Sequence, residues 1–397
     1  MITPERLHEF VKRHESPCYI YDAENIRRNY RALKNALPDN FKILYSLKAN
    51  SNPFIVRELK ELGSSFDVAS YNELRTVLDC GVSPDEISFV GPGKTEEEIR
   101  FALSRRVGTL VVESLDQLEL LNRCAAEVGT VQDISLRVNP KEYYDGRGRK
   151  RVNRSIQFGI DEEDLGGAFE VLRKMASVRV IGIHTHVQSQ ILDPEPIVQN
   201  FSLTLRIFNE LKANYAPDMT VINFGGGFGI PYNENEKALD LEALKRGLAE
   251  FSSLRPPLRP YVETGRYLVG PAGYFITKVL YRKESRGKKI LIMDGGMNNN
   301  FSVVGALQFE GKKYAAQALT GRPPSETHKY MLVGPSCYSM DVLANDLELP
   351  EMHPGDYVCF YNSGSYGRSF SPVLFLGQKI AQEYYLDGDT CNGKSID

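Results

Sequence analysis

The chain has 397 residues, 25% of them charged and 42% hydrophobic, with a net charge of -3. That length suits one large α/β domain with a smaller companion, and the near-neutral charge gives no electrostatic reason to expect nucleic acid as a partner. The opening MITPERLHEFVKRHE carries charges throughout and lacks the apolar core of a signal peptide, and no apolar run reaches the length of a bilayer span, so the expected location is the cytoplasm.

The first segment with strand character is SPCYIYD, residues 16–22. Eight short apolar runs then alternate with amphipathic stretches: KILYSLK from 42, SFDVAS from 65, ISFVGPG from 87, TLVVES from 109, ISLRVNP from 134, IGIHTHV from 181, VINFGGG from 221 and YVETGR from 261. Spacers such as NPFIVRELKELG place apolar residues at helical spacing and end on glycine, as a helix with a left-handed cap does. Eight strand–helix units predict an α/β protein built on a TIM (β/α)8 barrel over residues 34–275. Beyond it, YFITKVLYRK, KKILIMDGG and GDYVCFYNSG read as strands with glycine turns. Residues 276–397 are therefore expected to form a second, mostly β domain, completed by residues 1–33, with the last dozen residues as a loose polar tail.

In a TIM barrel, chemistry gathers at the C-terminal ends of the strands. Here those ends supply Lys48, Asp67, Glu113, Arg137, His186, the glycines at 225–227, and Glu263. Bare backbone after the seventh strand suits a phosphate, and Arg266 of ETGR follows at the next strand end. A phosphate site combined with a carboxylate and a distant lysine fits pyridoxal phosphate: the amine condenses with the aldehyde, and the carboxylate keeps the pyridine nitrogen protonated. On this reading Lys48 is expected to be buried. His184 and His186 fall on one side of their strand, but no third ligand of suitable spacing accompanies them, so stacking on the cofactor is favoured over a metal. Six cysteines, at 18, 80, 124, 337, 359 and 391, form no CxxC pair, and neither zinc nor a disulfide framework is expected.

YSLKAN, FDVAS, GPGK, LRVNP, HTHVQSQ, NFGGGFG, ETGRYLVGPAG, GPSCYSMDVL and NSGSYG together resemble the barrel-type pyridoxal-phosphate decarboxylases, the family of diaminopimelate and ornithine decarboxylases. DGGMNNN and SGSYGRSFSPVLFLG look closest to the branch of the butirosin-pathway glutamyl-carrier-protein and staphyloferrin-type decarboxylases, which serve specialised biosynthesis. The resemblance implies that Lys48 forms the Schiff base, His186 stacks on the pyridine ring and Glu263 pairs with its nitrogen. It places Ser189, Gly226, Gly227, Gly265, Arg266 and Tyr366 around the phosphate, and Asp67 near the lysine. It also implies that Cys337 returns a proton to Cα after carbon dioxide leaves, arriving from the other subunit of a homodimer with shared sites.

Three positions depart from the family pattern: Gln157 replaces a lysine, Gln188 a glycine, and Tyr338 the acidic residue that holds a distal amine. Losing that carboxylate removes a charge-assisted hydrogen bond of about 1.5–3 kcal/mol, roughly tenfold to a hundredfold in affinity. Arg137, Tyr338 and Asp341 are candidate substrate contacts. So are Arg149 and Arg151 of the basic stretch DGRGRKRVNRS: it reads first as a solvated charge cluster, and its position over the barrel mouth gives the alternative, docking an anionic substrate tail or an acidic carrier protein. The expected activity is α-decarboxylation of an amino-acid-type substrate, free or carrier-tethered. Diaminopimelate or basic amino-acid decarboxylation is the runner-up. An amino-acid racemase or a non-catalytic cofactor-binding regulator are more distant alternatives, since Glu263 favours a full electron sink.

Overall fold

The structure is a computed structural model and describes residues 2–306, 314–323 and 325–392. Strand β1 (Cys18–Asp22) precedes a long helix, Ala23–Ala36. The barrel strands follow as β2 (Lys42–Ser46), β3 (Ser65–Val68), β4 (Ile87–Phe89), β5 (Thr109–Val112) and β6 (Gln132–Asn139). A hairpin of β7 (Glu142–Tyr144) and β8 (Lys150–Val152) and a short β9 (Ile160–Asp161) interrupt the series, which resumes with β10 (Val178–Thr185), β11 (Val221–Asn223) and β12 (Arg259–Thr264). All eight barrel strands pair in parallel, and β10 closes the ring against β6. These eight are the strands expected from the sequence.

The runs are almost continuously buried because a barrel strand is covered on both faces. The connections that follow them are closed by helix caps. Asn52, Ser70, Thr95, Ser114 and Asp193 each accept a backbone N–H in the first turn of the next helix, and Thr95 with Glu98 forms a full capping box. Gly63, Gly81 and Gly129 end three of the helices at positive φ.

The remaining strands are β13 (Gly273–Ser285), β14 (Lys288–Met293), β15 (Ala316–Leu319), β16 (Thr327–Val333), β17 (Val342–Pro350), β18 (Tyr357–Phe360), β19 (Gln382–Asp387) and β20 (Thr390–Asn392). They form one sheet with β1 at its centre, antiparallel to β13 and parallel to β19. Its core includes Leu7, Val11, Cys18, Ile20, Tyr274, Ile276, Cys359 and Tyr384. The second domain is thus a β sheet assembled from both ends of the chain.

By packing, the barrel unit comprises residues 30–230 with 238–265, and the β unit residues 1–29, 231–237 and 266–397. The divide falls at 265 rather than at the expected 275. The turn after β12 packs with the β unit, where Gly364 N–H donates to the Gly270 carbonyl and Ser363 N–H to that of Gly273. Residues 231–237 join it through Asn362, which donates to the Pro231 carbonyl at 2.9 Å. The expected loose tail is also revised: Gly388, at φ 56°, turns the chain so that β20 pairs back on β19. Residues 393–397 of that segment lie outside the described residues. Among the described residues, no helix is long and apolar enough to cross a membrane.

Gly182 sits where β10 presses on β11, and a Cβ there would strike the Val221 carbonyl. Gly182→Ala should lower unfolding stability by about 1–3 kcal/mol in chemical denaturation, the usual cost of overpacking; an unchanged midpoint would contradict this close approach.

Candidate active site

The end of β2 turns directly into a single 3-10 turn, Leu47–Ala49, which carries Lys48. Tyr45 braces this turn by donating to the Asn50 carbonyl at 2.7 Å. Lys48 is exposed, contrary to the burial expected from the sequence. Its charge nevertheless acts on three groups at the neighbouring strand ends.

Those groups are Asp67, His186 and Glu263. Glu263, at the end of β12, is 3% exposed. Its Oε1 accepts from Asn223 Nδ2 at 2.8 Å and lies 3.1 Å from His184 Nε2, a contact bent away from regular hydrogen-bond geometry. Its Oε2 lies 3.8 Å from His186 Nδ1. Burial alone would raise the Glu263 pKa, but His184, His186 and Lys48 outweigh it and hold the carboxyl well below its ordinary range. Asp67 behaves in the opposite sense. Burial, then the nearby Glu263 charge, pushes its carboxyl well above the ordinary range against the pull of Lys48. Burial and the Lys48 charge hold the His186 ring neutral by pushing its pKa down. A carboxyl biased to its charged form, a carboxyl biased to its neutral form and a neutral imidazole therefore surround a single lysine.

Gly225 and Gly227 have φ of 68° and 107°. A Cβ on Gly225 would strike the Thr185 carbonyl, and one on Gly226 the Glu263 carbonyl, so close strand packing requires these glycines whether or not an anion binds. Gly226 N–H points at His186 Nδ1, 3.4 Å away, and Ser189, exposed, has its Oγ 3.4 Å from His186 Nε2. Gly265 packs against Ala49 beside the Lys48 turn.

In the β unit, the Arg266 guanidinium is bonded to the Tyr232 hydroxyl and lies 4.7 Å over the Tyr366 ring. Tyr366 is held at φ 53°, a strained value for a residue with a side chain. The hydroxyls of Tyr314 and Ser365 are buried without a regular hydrogen-bond partner. Cys337 and Tyr338 are exposed, and Tyr338 meets Phe375 edge-on with ring centroids 6.0 Å apart. Asp341, expected as a substrate contact, is instead 2% exposed and engaged by the chain itself. Its Oδ1 accepts from Met297 N–H at 2.7 Å, and its Oδ2 from Ser336 Oγ at 2.6 Å and Ser336 N–H at 3.1 Å.

Three other expected substrate contacts are also engaged. Arg137 is buried against Glu113, with Nη1 3.0 Å from Oε2, and stacks 4.4 Å over Phe158. Arg149 and Arg151 both reach Asp145 Oδ2, at 3.0 and 2.9 Å from their Nε atoms, and so close the β7–β8 hairpin on itself. Lys150 pairs with Glu142 at 2.6 Å. Among the described residues, the side chains of Arg147 and Arg154 form no ion pair.

A family model described as the pyridoxal-dependent decarboxylase, pyridoxal-binding domain, matches residues 23–270. The chain belongs to the pyridoxal-dependent decarboxylases. It is similar to the L-glutamyl-[BtrI acyl-carrier protein] decarboxylase of Niallia circulans, at 33% identity over 92% of this chain and 88% of the relative. It is also similar to the diaminopimelate decarboxylase of Aquifex aeolicus, at 31% identity over 96% and 89%. Among solved structures, the diaminopimelate decarboxylase of Helicobacter pylori complexed with L-lysine superposes with a TM-score of 0.86 at 31% identity, covering 97% of this chain and 95% of that one. This decarboxylase is a pyridoxal-phosphate-dependent carboxy-lyase. Within the barrel the residues fit the cofactor: Glu263 is biased to the anionic form that a protonated ring nitrogen would need, and His186 is neutral, as a ring stacked on the pyridine would be.

The sequence reading missed the partners of these groups. Asn223 and His184 on Glu263 were findable, since both lie two residues before a candidate on or beside a strand. Tyr232 and Tyr314 have no comparable signal. Lys94 of GPGK was not singled out either; it is buried, donates to the Gly91 carbonyl at 2.6 Å, and is pushed down to about 8 by burial.

Because Asp67 titrates higher in the fold than in the unfolded chain, the native state holds its proton longer and loses relative stability as pH rises from about 4 upward. Asp67→Asn should therefore raise the Tm of the cofactor-free protein at pH 7 by a few degrees and leave it unchanged near pH 3. An equal shift at both pH values would point to repacking instead.

Proposed function

We propose that this decarboxylase acts on an amino acid or amino-acid-derived intermediate whose side chain is anionic or tethered to a carrier, in specialised small-molecule biosynthesis. The observation that carries the reading is the loop at 334–341. Its only acid, Asp341, is buried in backbone contacts, and its tip presents Cys337, Tyr338 and Met340, so the loop offers no carboxylate to a distal ammonium. The similarity to a glutamyl-carrier-protein decarboxylase, and the cationic Arg147 in the hairpin turn and Arg154 just beyond β8, support the same class of substrate.

When bound, the cofactor supplies the electron sink that accepts the pair left by departing carbon dioxide. Lys48 is the amine that tethers it, and its exposed position lets an incoming substrate amine replace it. Glu263 holds its negative charge for the ring nitrogen, and Asn223 and His184 fix the direction of that carboxylate. His186 presents a neutral face for stacking. Arg266, with Tyr366 beside it, balances the phosphate charge. Cys337 is the acid that returns a proton to Cα, and we assign it to the partner's site in a homodimer.

Lys48→Ala should abolish carbon dioxide release while the fold is retained by circular dichroism. Separately purified Lys48→Ala and Cys337→Ala chains, mixed and allowed to exchange subunits, should recover about a quarter of wild-type activity, because half the dimers then carry one intact site. No recovery in a mixture shown by native mass spectrometry to contain heterodimers would place both residues in one chain's site.

Carbon dioxide release should be tested with glutamate, glutamyl-carrier protein, a citryl-diaminopropionate conjugate, ornithine, lysine, arginine and meso-diaminopimelate. Turnover confined to the anionic or tethered members supports the proposal. Efficient turnover of meso-diaminopimelate would establish the second reading, which the similarity to diaminopimelate decarboxylases favours. With a tethered substrate, the double variant Arg147→Ala/Arg154→Ala should raise KM about tenfold at constant kcat, and an unchanged KM removes the hairpin from recognition.

A further inference from the structure

The interior of a TIM barrel is ordinarily filled by layers of branched side chains. Here β3, β4 and β6 each turn a serine into it: Ser65, Ser88 and Ser135 line a cavity of about 30 Å³ open to water-sized molecules. At 10–15 Å³ per molecule, that is room for about two waters. The roof of the cavity is His184 and Asn223, the two residues that touch Glu263 Oε1. Its floor includes Glu86, at the N-terminal end of β4.

Two atoms facing this space are buried with no protein partner, Ser135 Oγ and His184 Nδ1. A buried hydroxyl and a buried ring nitrogen are costly to leave unsatisfied, and water in a polar cavity of this size satisfies both. The floor reaches solvent. Ser65 donates to Glu86 Oε2, while Glu86 Oε1 lies 2.7 Å from Lys42 Nζ; the Glu86 and Lys42 side chains are 36% and 50% exposed. Hydrogen-bonding groups therefore run from the outer rim of the barrel floor, through Ser65 and the cavity, to His184 and Glu263.

We propose that this polar shaft is a proton path, and that His184 is a positioning residue that links Glu263 to solvent from beneath the barrel. Glu263 is shut off from water by its own burial. A proton taken up from solvent at the floor and handed on by the cavity waters reaches His184 Nδ1 as Nε2–H passes to Glu263 Oε1, which leaves the waters neutral, and the reverse transfer restores both groups. No proton is gained or lost by the ring overall, and none has to cross the mouth while substrate occupies it. The role in turnover rests on the reading of Glu263 as the partner of the cofactor nitrogen; the hydration of the shaft does not.

Two measurements test the proposal. In the cofactor-free protein, exchange of the imidazole C2 hydrogen for deuterium, read by mass spectrometry, should proceed at His184 despite its 2% exposure. Filling the shaft with Ser135→Val, or independently with Ser88→Val, should slow that exchange several-fold and leave His186 unaffected. Either variant suffices if the other fails to fold. Equal His184 exchange in wild type and in a folded variant overturns the hydrated shaft. In the cofactor-loaded enzyme, the absorbance change after a pH jump should reach the same end point more slowly in the same variants. Slowed exchange with an unchanged optical relaxation overturns the relay. A chain that takes up no cofactor fails the functional reading, and the exchange experiment still decides the shaft.

Discussion

The site depends on one electrostatic problem, a carboxylate kept charged inside a barrel. Glu263 is nearly inaccessible to water, and an isolated carboxyl there would take up a proton. His184 and His186, helped by the Lys48 ammonium, reverse that preference. The same charge then acts on its surroundings: added to burial, it raises Asp67 and favours the neutral form of a second carboxyl in the mouth. Two chemically identical groups are driven apart in protonation by which neighbours each one has. The closed parallel ring makes this possible, because it brings the ends of β2, β3, β10, β11 and β12 to one place in a fixed register.

Much of this is visible in the sequence because barrel strands carry a strong local signal. The eight apolar runs are short, buried on both faces and separated by capped helices, so each can be recognised without its partners. Lys48, Asp67, His186 and Glu263 could be placed together for the same reason: the topology puts every strand end at one rim. What resisted reading was pairwise. Nothing local shows that Asp341 would turn inward onto Met297 and Ser336, or that Asp145 would take up Arg149 and Arg151, since those pairings exist only after the loops have folded. The burial expected of Lys48 failed for a related reason. A lysine that ends a core strand is not itself in the core when the next residues form a single turn at the rim.

The basic hairpin shows how a charge count misleads. Five cations in a short stretch could serve as an anion-binding surface or merely be solvated, yet Asp145 organises two of them and Glu142 takes a third. The hairpin is fixed to the helix Pro194–Asn214 by reciprocal bonds between Tyr144 and Asn200, at 2.8 and 2.9 Å. Internal pairing gives it a defined shape, and only the cations left over are available to a ligand.

The Asp341 anchor separates two properties that are often entangled. Its carboxylate holds the base of the 334–341 loop from below, where Gly296 and Gly334 leave space for it, while positions 337, 338 and 340 project outward with little packing around them. The exposed residues of the loop tip can therefore be exchanged without disturbing those that shape the backbone. Within one fold, such a loop lets preference for a side chain drift between related enzymes at almost no cost in stability, and the acid at its base is the position at which that freedom stops.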